Sequence, residues 1–165
     1  MSRDRDPAGR PRNARPRDAL GRPLDRSWAG GEARIADDLT LAGPEAARLA
    51  DQLLRAGRPF HAHEVLEASW KSGPDRERDL WQGLAQVAVG LTHAHRGNAR
   101  GAVALLSRGA QRVRAYQASS DQDLPYGIDL AAFLAASDSL AARIERDGLG
   151  GIPAAELRPG LTAGS

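Results

Sequence analysis

Leu80-Trp81-Gln82-Gly83-Leu84-Ala85-Gln86-Val87-Ala88-Val89-Gly90-Leu91-Thr92-His93-Ala94-His95 is the stretch from which the fold is read. Leu80, Leu84, Val87, Ala88 and Leu91 recur at helical spacing and form one apolar side that must meet a core. The other side carries Gly83, Gln86, Gly90, His93 and Gly97, at spacings of three, four, three and four. A glycine inside a helix costs about 1 kcal/mol against alanine, so this second side demands close approach by another backbone. The helix, predicted from about Pro74 or Asp75 to His95, is therefore covered on both sides. Asp75 and Glu77 fall in its first turn, where negative charge favours the N-terminal dipole.

Working outward, Pro44 suits a first helical position, and Ala46, Ala47, Leu49, Ala50, Leu53 and Leu54 continue the pattern until Gly57 stops it. A second helix is predicted from Pro59 or Phe60 to Trp70 or Lys71, ended by Ser72-Gly73-Pro74. Beyond Gly97-Asn98, Ala102, Leu106, Gly109, Ala110, Val113 and Tyr116 predict a helix over Ala99 to Tyr116. Leu130, Phe133, Leu134, Ser137, Leu140, Ala141 and Ile144 predict a last one over Leu130 to Glu145, with Asp129 as N-cap. No stretch alternates as a strand does. The fold class expected is all-α: a single small bundle of about five helices, the second, third and fourth mutually antiparallel across short connections.

A chain of 165 residues suffices for one domain with its own core. The expected division is an Arg- and Pro-rich arm over 1–31, a bundle over 32–147 and a flexible tail or surface wrap over 148–165. Residues 1–30 hold eight Arg against four Asp, net +4, which leaves residues 31–165 at net −2. The high isoelectric point thus belongs to the arm. Four prolines and interspersed Asp argue against more than weak nucleic-acid affinity through it, and Trp28 is its one residue suited to packing on the domain. No Cys is present, which removes disulfides and thiolate chemistry. The most apolar run, Leu84 to Leu91, is far shorter than the roughly 20 residues that span a bilayer, and the polar start of the chain does not read as a secretory signal. A cytoplasmic location is the expectation, with no membrane partner.

The segment Phe60-His61-Ala62-His63-Glu64-Val65-Leu66-Glu67-Ala68-Ser69-Trp70 carries the chemistry. At about 100° per residue, Phe60, His63, Glu67 and Trp70 fall within roughly 80° of one another, with Leu66 beside them. Glu64 sits at the edge of that face, and His61 points nearly the opposite way. If this helix lies antiparallel on the glycine-bearing side of its successor, the glycines admit its bulk, and His63 and Glu67 come level with Gln86 and His93. Buried groups of this kind must be satisfied.

Two arrangements satisfy them. One is a closed network, for example Glu67 accepting from His63 or His93 while Gln86 bridges. The other is a metal or catalytic site: His63 and Glu67, at i and i+4, present nitrogen and oxygen ligands, and His93 with Glu64 or Gln86 completes a set that suits a borderline divalent ion such as zinc. The same groups also suit general acid–base work. A zincin motif would need His where Glu67 stands, so a metalloprotease is not read. Trp70 and Trp81 flank the corner between two helices and are read as packing. Arg96-Gly97-Asn98 is read as a capped turn, with an anion held by Arg96 and the following helix N-terminus as the lesser reading. His95 is read as a peripheral or core histidine, and the glycines at 30–31 and 148–151 lack the context of a nucleotide loop.

The run Phe60, Ala62-His63-Glu64, Leu66-Glu67, Trp70, Gly83-Leu84, Gln86, Ala88, His93, Arg96-Gly97-Asn98 and Gly101-Ala102 resembles the bacterial and archaeal family called domain of unknown function 309. The resemblance covers about residues 45–147, with Gly127-Ile128-Asp129 ahead of the last helix. It implies a small all-helical bundle and, as signature positions, His63, Glu64, Glu67, Trp70, Gln86, His93, Arg96 and Asn98. The departures are slight: His61, Ala85 and His95 replace residues more often polar, branched and Gln, respectively. The family carries no activity with it.

Three functional readings stand at this point. The first is a metal-dependent hydrolytic site with His63, Glu64, Glu67 and His93 as catalytic groups, His63, Glu67 and His93 as metal ligands, and Gln86, Arg96 and Asn98 contacting substrate or anion. The second is a non-enzymatic interaction or structural module with a closed polar network. The third is weak nucleic-acid binding by the arm. Substrate, metal identity and self-association stay open.

Overall fold

The protein is described here by a computed structural model that covers residues 41–120 and 125–163. The basic arm over 1–31, with Trp28 and the nucleic-acid reading built on it, lies outside the described residues. Among the described residues five α-helices follow in order: α1 (Gly43–Arg55), α2 (Pro59–Ser72), α3 (Arg78–His95), α4 (Ala99–Ser119) and α5 (Leu130–Asp147). Among the described residues there is no strand, only an isolated antiparallel bridge between Ile128 and Thr162. The all-α bundle read from periodicity is the observed fold, and no described helix is long and apolar enough to cross a membrane.

Local chemistry sets the helix ends. Pro44 and Pro59 stand in the first turns of α1 and α2, where their missing N–H has no intrahelical partner to lose. Gly57 and Gly97 follow α1 and α3 at φ of 75° and 82°, and each lets the next residue's N–H reach back five positions, Arg58 to Leu53 and Asn98 to His93. Asn98 and Asp129 cap α4 and α5 by accepting from Gly101 N and Ala132 N, each at 3.0 Å.

Consecutive helices pack pairwise, with α3 at the centre between α2 and α4. The glycine-bearing side of α3 is covered by α4, which corrects the expectation that α2 lies there. A Cβ built on Gly83 would stand 2.9 Å from Gly109 O and 3.0 Å from Val113 N, and one on Gly90 2.9 Å from Leu106 N. Gly109 reciprocates, its virtual Cβ falling 2.7 Å from Gly83 O and 2.8 Å from Val87 N. The two backbones touch where both helices lack side chains, and Ala102 and Ala110 extend the close contact along α4. Around this crossing lie Leu66, Leu80, Trp81, Leu84, Leu91, Leu106, Phe133 and Ile144, all essentially excluded from water.

The start of the third helix also differs from expectation. Asp75–Glu77 form a 3-10 turn, and Glu77 is buried instead of facing the helix dipole in solvent. Its carboxylate accepts from Trp81 Nε1 at 3.1 Å and from the Tyr126 hydroxyl at 2.6 Å. The Tyr126 ring stacks on Trp81 at 5.6 Å and covers Gly43 of α1. Tyr126 holds φ of 57°, a left-handed conformation that an aromatic residue adopts only under outside constraint, here the stack and the carboxylate. Burial and the Glu77 carboxylate together push its phenol up to about 12.

The segment after α5, read as a wrap or a flexible end, runs along the bundle as a strap. Leu161 is buried against the core, and Asp51 of α1 accepts from Leu161 N at 2.7 Å and Thr162 N at 3.0 Å. Asp129 N donates to Leu161 O and Ala163 N to Gly127 O, so the strap also ties down the start of α5. Burial raises the Asp51 carboxyl, but the two strap N–H groups and the Arg55 guanidinium outweigh it and hold the group below the usual carboxylate range. His95 contacts the same segment, its Nε2 lying 3.3 Å from Leu157 O.

Candidate functional site

Residue spacing on α2 and α3 places the site. His63, Glu67 and Trp70 occupy one face of α2, and Gln82, Ala85, Gln86 and Val89 recur at helical spacing on α3. Together with Leu105 of α4 they line an open cleft of about 200 Å³. A larger hollow of about 350 Å³ lies between the start of α4 and the end of α5, but Ala99, Val103, Ala104 and Ile144 make it apolar apart from Arg100 and Glu145. The chemistry-bearing side chains are therefore in the smaller one.

His63 Nε2 lies 3.3 Å from Glu67 Oε2, and the other carboxylate oxygen takes Lys71 Nζ at 3.0 Å, a chain of i,i+4 contacts along α2. Because a carboxylate only accepts, Glu67 favours the tautomer with the proton on Nε2 and leaves Nδ1 as an acceptor. Burial pulls the His63 pKa down, Glu67 opposes that shift, and Lys71 adds to it, the net being a lowered value. The imidazole is accordingly neutral at pH 7. Its ring packs against Phe60 at 5.7 Å. Neither His63 Nδ1 nor Gln86 Oε1 has a hydrogen-bond partner among the described residues.

Gln82 is held differently. Its Oε1 accepts from Arg112 Nη1 at 2.7 Å, and Arg112 is in turn 3.6 Å from Asp79 Oδ1. A guanidinium donates only, so the oxygen end of this amide is fixed by its partner.

Of the residues singled out from sequence, the structure brings His63, Glu67, Trp70 and Gln86 together. His93 is not with them. It sits in the last turn of α3, where its Nδ1 lies 3.0 Å from Asn98 Nδ2, while Asn98 Oδ1 caps α4. Because Oδ1 accepts from Gly101 N, the other end of Asn98 is the donor, and His93 carries its proton on Nε2. His93 and Asn98 thus form a junction between α3 and α4, and the capped-turn reading of Arg96-Gly97-Asn98 describes the observed geometry. Glu64 is half-buried on α2 and Arg96 exposed after α3, and neither lines the cleft. Among the described residues no three His, Asp or Glu side chains converge as a metal site requires, so His63, Glu67 and His93 are not assembled as a ligand set. In the last turn of α3, His93 lies against Asn98 and Gly101 at the α3–α4 turn, beyond the stretch of α3 that borders the cleft.

Sequence reasoning did not single out Gln82, Arg112 or Leu105 as site residues. Gln82 was findable, since it stands one turn before Gln86 on the same face. His61, read as facing away from His63, is buried on the opposite side of α2, with Phe60 edge-on at 6.2 Å. Trp81 packs in the core as expected, whereas Trp70 is half-buried at the rim of the cleft.

Fold and site define, among the described residues, a bundle of five α-helices with a small cleft between α2, α3 and α4 in which His63, Glu67, Gln82 and Gln86 stand among apolar side chains. Residues 48–105 match the family described as "Domain of unknown function (DUF309)", which bears out the resemblance over the segment that builds the cleft. The chain is also similar to the "Uncharacterized protein YpuF" of Bacillus subtilis (strain 168), 36% identical over 87 residues, or 52% of this chain and 48% of that one. It thus spans about half the length of that curated relative. No solved structure matches.

Proposed function

We propose that the protein is a small-ligand-binding bundle whose site is the α2–α3–α4 cleft. The observation that carries this reading is the pair of buried acceptor atoms, His63 Nδ1 and Gln86 Oε1, which have no hydrogen-bond partner among the described residues and belong to side chains that line an open cleft. A buried acceptor with no partner costs roughly 1–3 kcal/mol, which a ligand donor would recover. The terminal torsions that aim an amide or an imidazole are soft, so small rotations bring either atom to a ligand. A closed polar network has less support, since the His63 and Glu67 side chains are 22% and 35% exposed.

His63 gives the cleft chemical capacity beyond binding. A neutral imidazole braced by a carboxylate is the arrangement that general-base catalysis uses. Hydrolysis through a resident metal has less support, because only His63 and Glu67 remain of the three ligands expected. Enzymatic use of the cleft therefore rests on acid–base chemistry by His63, with Glu67 orienting it.

Backbone and side-chain amide NMR spectra, recorded while a set of small polar compounds is titrated into the full chain, test the binding reading. Saturable shifts at His63, Trp70 and Gln86, weakened by Gln86→Ala, are expected. A folded protein whose cleft signals respond to no compound at millimolar concentration contradicts it.

A further inference from the structure

Resting on that reading of the cleft, one step further can be taken toward the ligand. We propose that the cleft takes a small, neutral, planar ligand carrying a hydrogen-bond donor and acceptor side by side on one edge, the pattern of a cyclic amide or a primary carboxamide. The edge recognition comes from Gln82 and Gln86, which lie one turn apart on α3 and are neighbours about 5–6 Å apart at Cβ. Arg112 holds the Gln82 oxygen at 2.7 Å, which leaves the Nε2 amino group as the end available to the cleft, a donor. Gln86 brings the opposite polarity: its buried Oε1 has no hydrogen-bond partner among the described residues, and a rotation about its soft last torsion turns it toward the cleft. A ligand carbonyl accepting from Gln82 and its adjacent N–H donating to Gln86 would satisfy both side chains at once.

Shape and charge narrow the class. Trp70, Ala85, Val89 and Leu105 supply the apolar walls, with an indole suited to lie along a flat ring. The cleft, at about 200 Å³, falls below the roughly 300–1,000 Å³ of sites for drug-sized ligands, which limits the occupant to about one or two rings. Charge is compensated: Lys71 engages Glu67 at 3.0 Å, and Asp79 stands 3.6 Å from Arg112. Neither a carboxylate nor an ammonium ligand finds an unopposed partner there, and a neutral amide needs none. Arg112 is then a positioning residue, acting on the ligand only through Gln82.

The test titrates the full chain with nicotinamide and uracil, and with 3-methylpyridine and 1,3-dimethyluracil, which keep the ring but lose the amide edge. The readouts are the side-chain amide signals of Gln82 and Gln86 and the indole N–H of Trp70. The amides are expected to saturate all three signals, and the edge-blocked analogues to bind at least about tenfold more weakly. Gln82→Leu should erase that preference while leaving residual ring binding at Trp70. Arg112→Met, which frees the Gln82 amide to turn over, should narrow the preference to less than about threefold without abolishing binding. Both substitutions are at the cleft edge, and retention of the parent backbone spectrum certifies the fold. Equal affinity for amides and blocked analogues overturns the proposal. So does saturation by carboxylates, amines or sugars but not amides, an outcome that leaves the binding reading standing. No response to any compound overturns both.

Discussion

Gly109→Ala sets two effects of opposite sign against each other. Intrinsic helix propensity alone makes the alanine variant more stable, by about 1 kcal/mol. The α3–α4 crossing says the reverse, because the new Cβ would lie 2.7 Å from Gly83 O and 2.8 Å from Val87 N. Those are backbone atoms with no rotamer to move, so the helices must part by several tenths of an ångström. Overpacking of this kind costs about 1–3 kcal/mol, and the upper part of that range applies where backbone meets backbone. The net expectation is destabilisation by about 1–2 kcal/mol, or a fall in Tm of roughly 3–10 °C for a domain of this size. Gly150→Ala serves as control, since nothing lies within 4 Å of its virtual Cβ, and surface changes of that sort stay within about 0.5 kcal/mol. Thermal melts followed by circular dichroism read both. A Gly109→Ala protein melting at or above the parent refutes the close crossing. Adding Gly83→Ala should be less than additive, by about 0.5 kcal/mol or more, because the first alanine already separates the helices.

Three further outcomes are expected. The Asp51 carboxyl is held below its ordinary value, so the unfolded chain takes up that proton first; the contribution of the strap contact is full above about pH 4 and is lost as pH falls through the lowered folded value. Melts from pH 6 to pH 2 should show this loss in the parent and a smaller one in Asp51→Asn. Tyr126→Phe removes the 2.6 Å hydrogen bond to Glu77 and should cost about 1.5–3 kcal/mol in urea unfolding, as bonds to charged groups do. With the phenol raised from 10.0 to about 12, the parent should lose stability as pH climbs between those values, and the Phe variant should lack that loss. For His63, whose pKa burial lowers, stability is lost as pH falls below 6.5. Histidine NMR titrations should show Glu67→Gln lowering that pKa further and Lys71→Met raising it; movement in the opposite directions would mean the α2 contacts are misassigned.

Much of the fold was legible because its punctuation is local: prolines opening α1 and α2, glycines closing α1 and α3, Asn98 and Asp129 capping the helices that follow. The glycine side of α3 was also legible as a covered face. Which neighbour covers it was not, since periodicity on one helix says that a partner exists without naming it. The missing signal lay in α4, where Ala102 and Gly109 repeat the seven-residue spacing of Gly83 and Gly90. His93 was misplaced, while Gln86, at the edge of the glycine side next to Gln82, Ala85 and Val89, still borders the cleft with His63 and Glu67. Glu77 was out of reach for a different reason: Tyr126, which buries it, is 49 residues away and held by a backbone conformation no local pattern announces.

The strap has a kinetic consequence. Asp51 and the Leu161 amide are separated by 110 residues, and the loop-closure entropy of so distant a contact leads to the expectation that it forms late on the route to the native state. Interactions absent from the transition state slow unfolding without speeding folding. Weakening the strap should therefore shorten the lifetime of the native protein and leave its refolding rate unchanged.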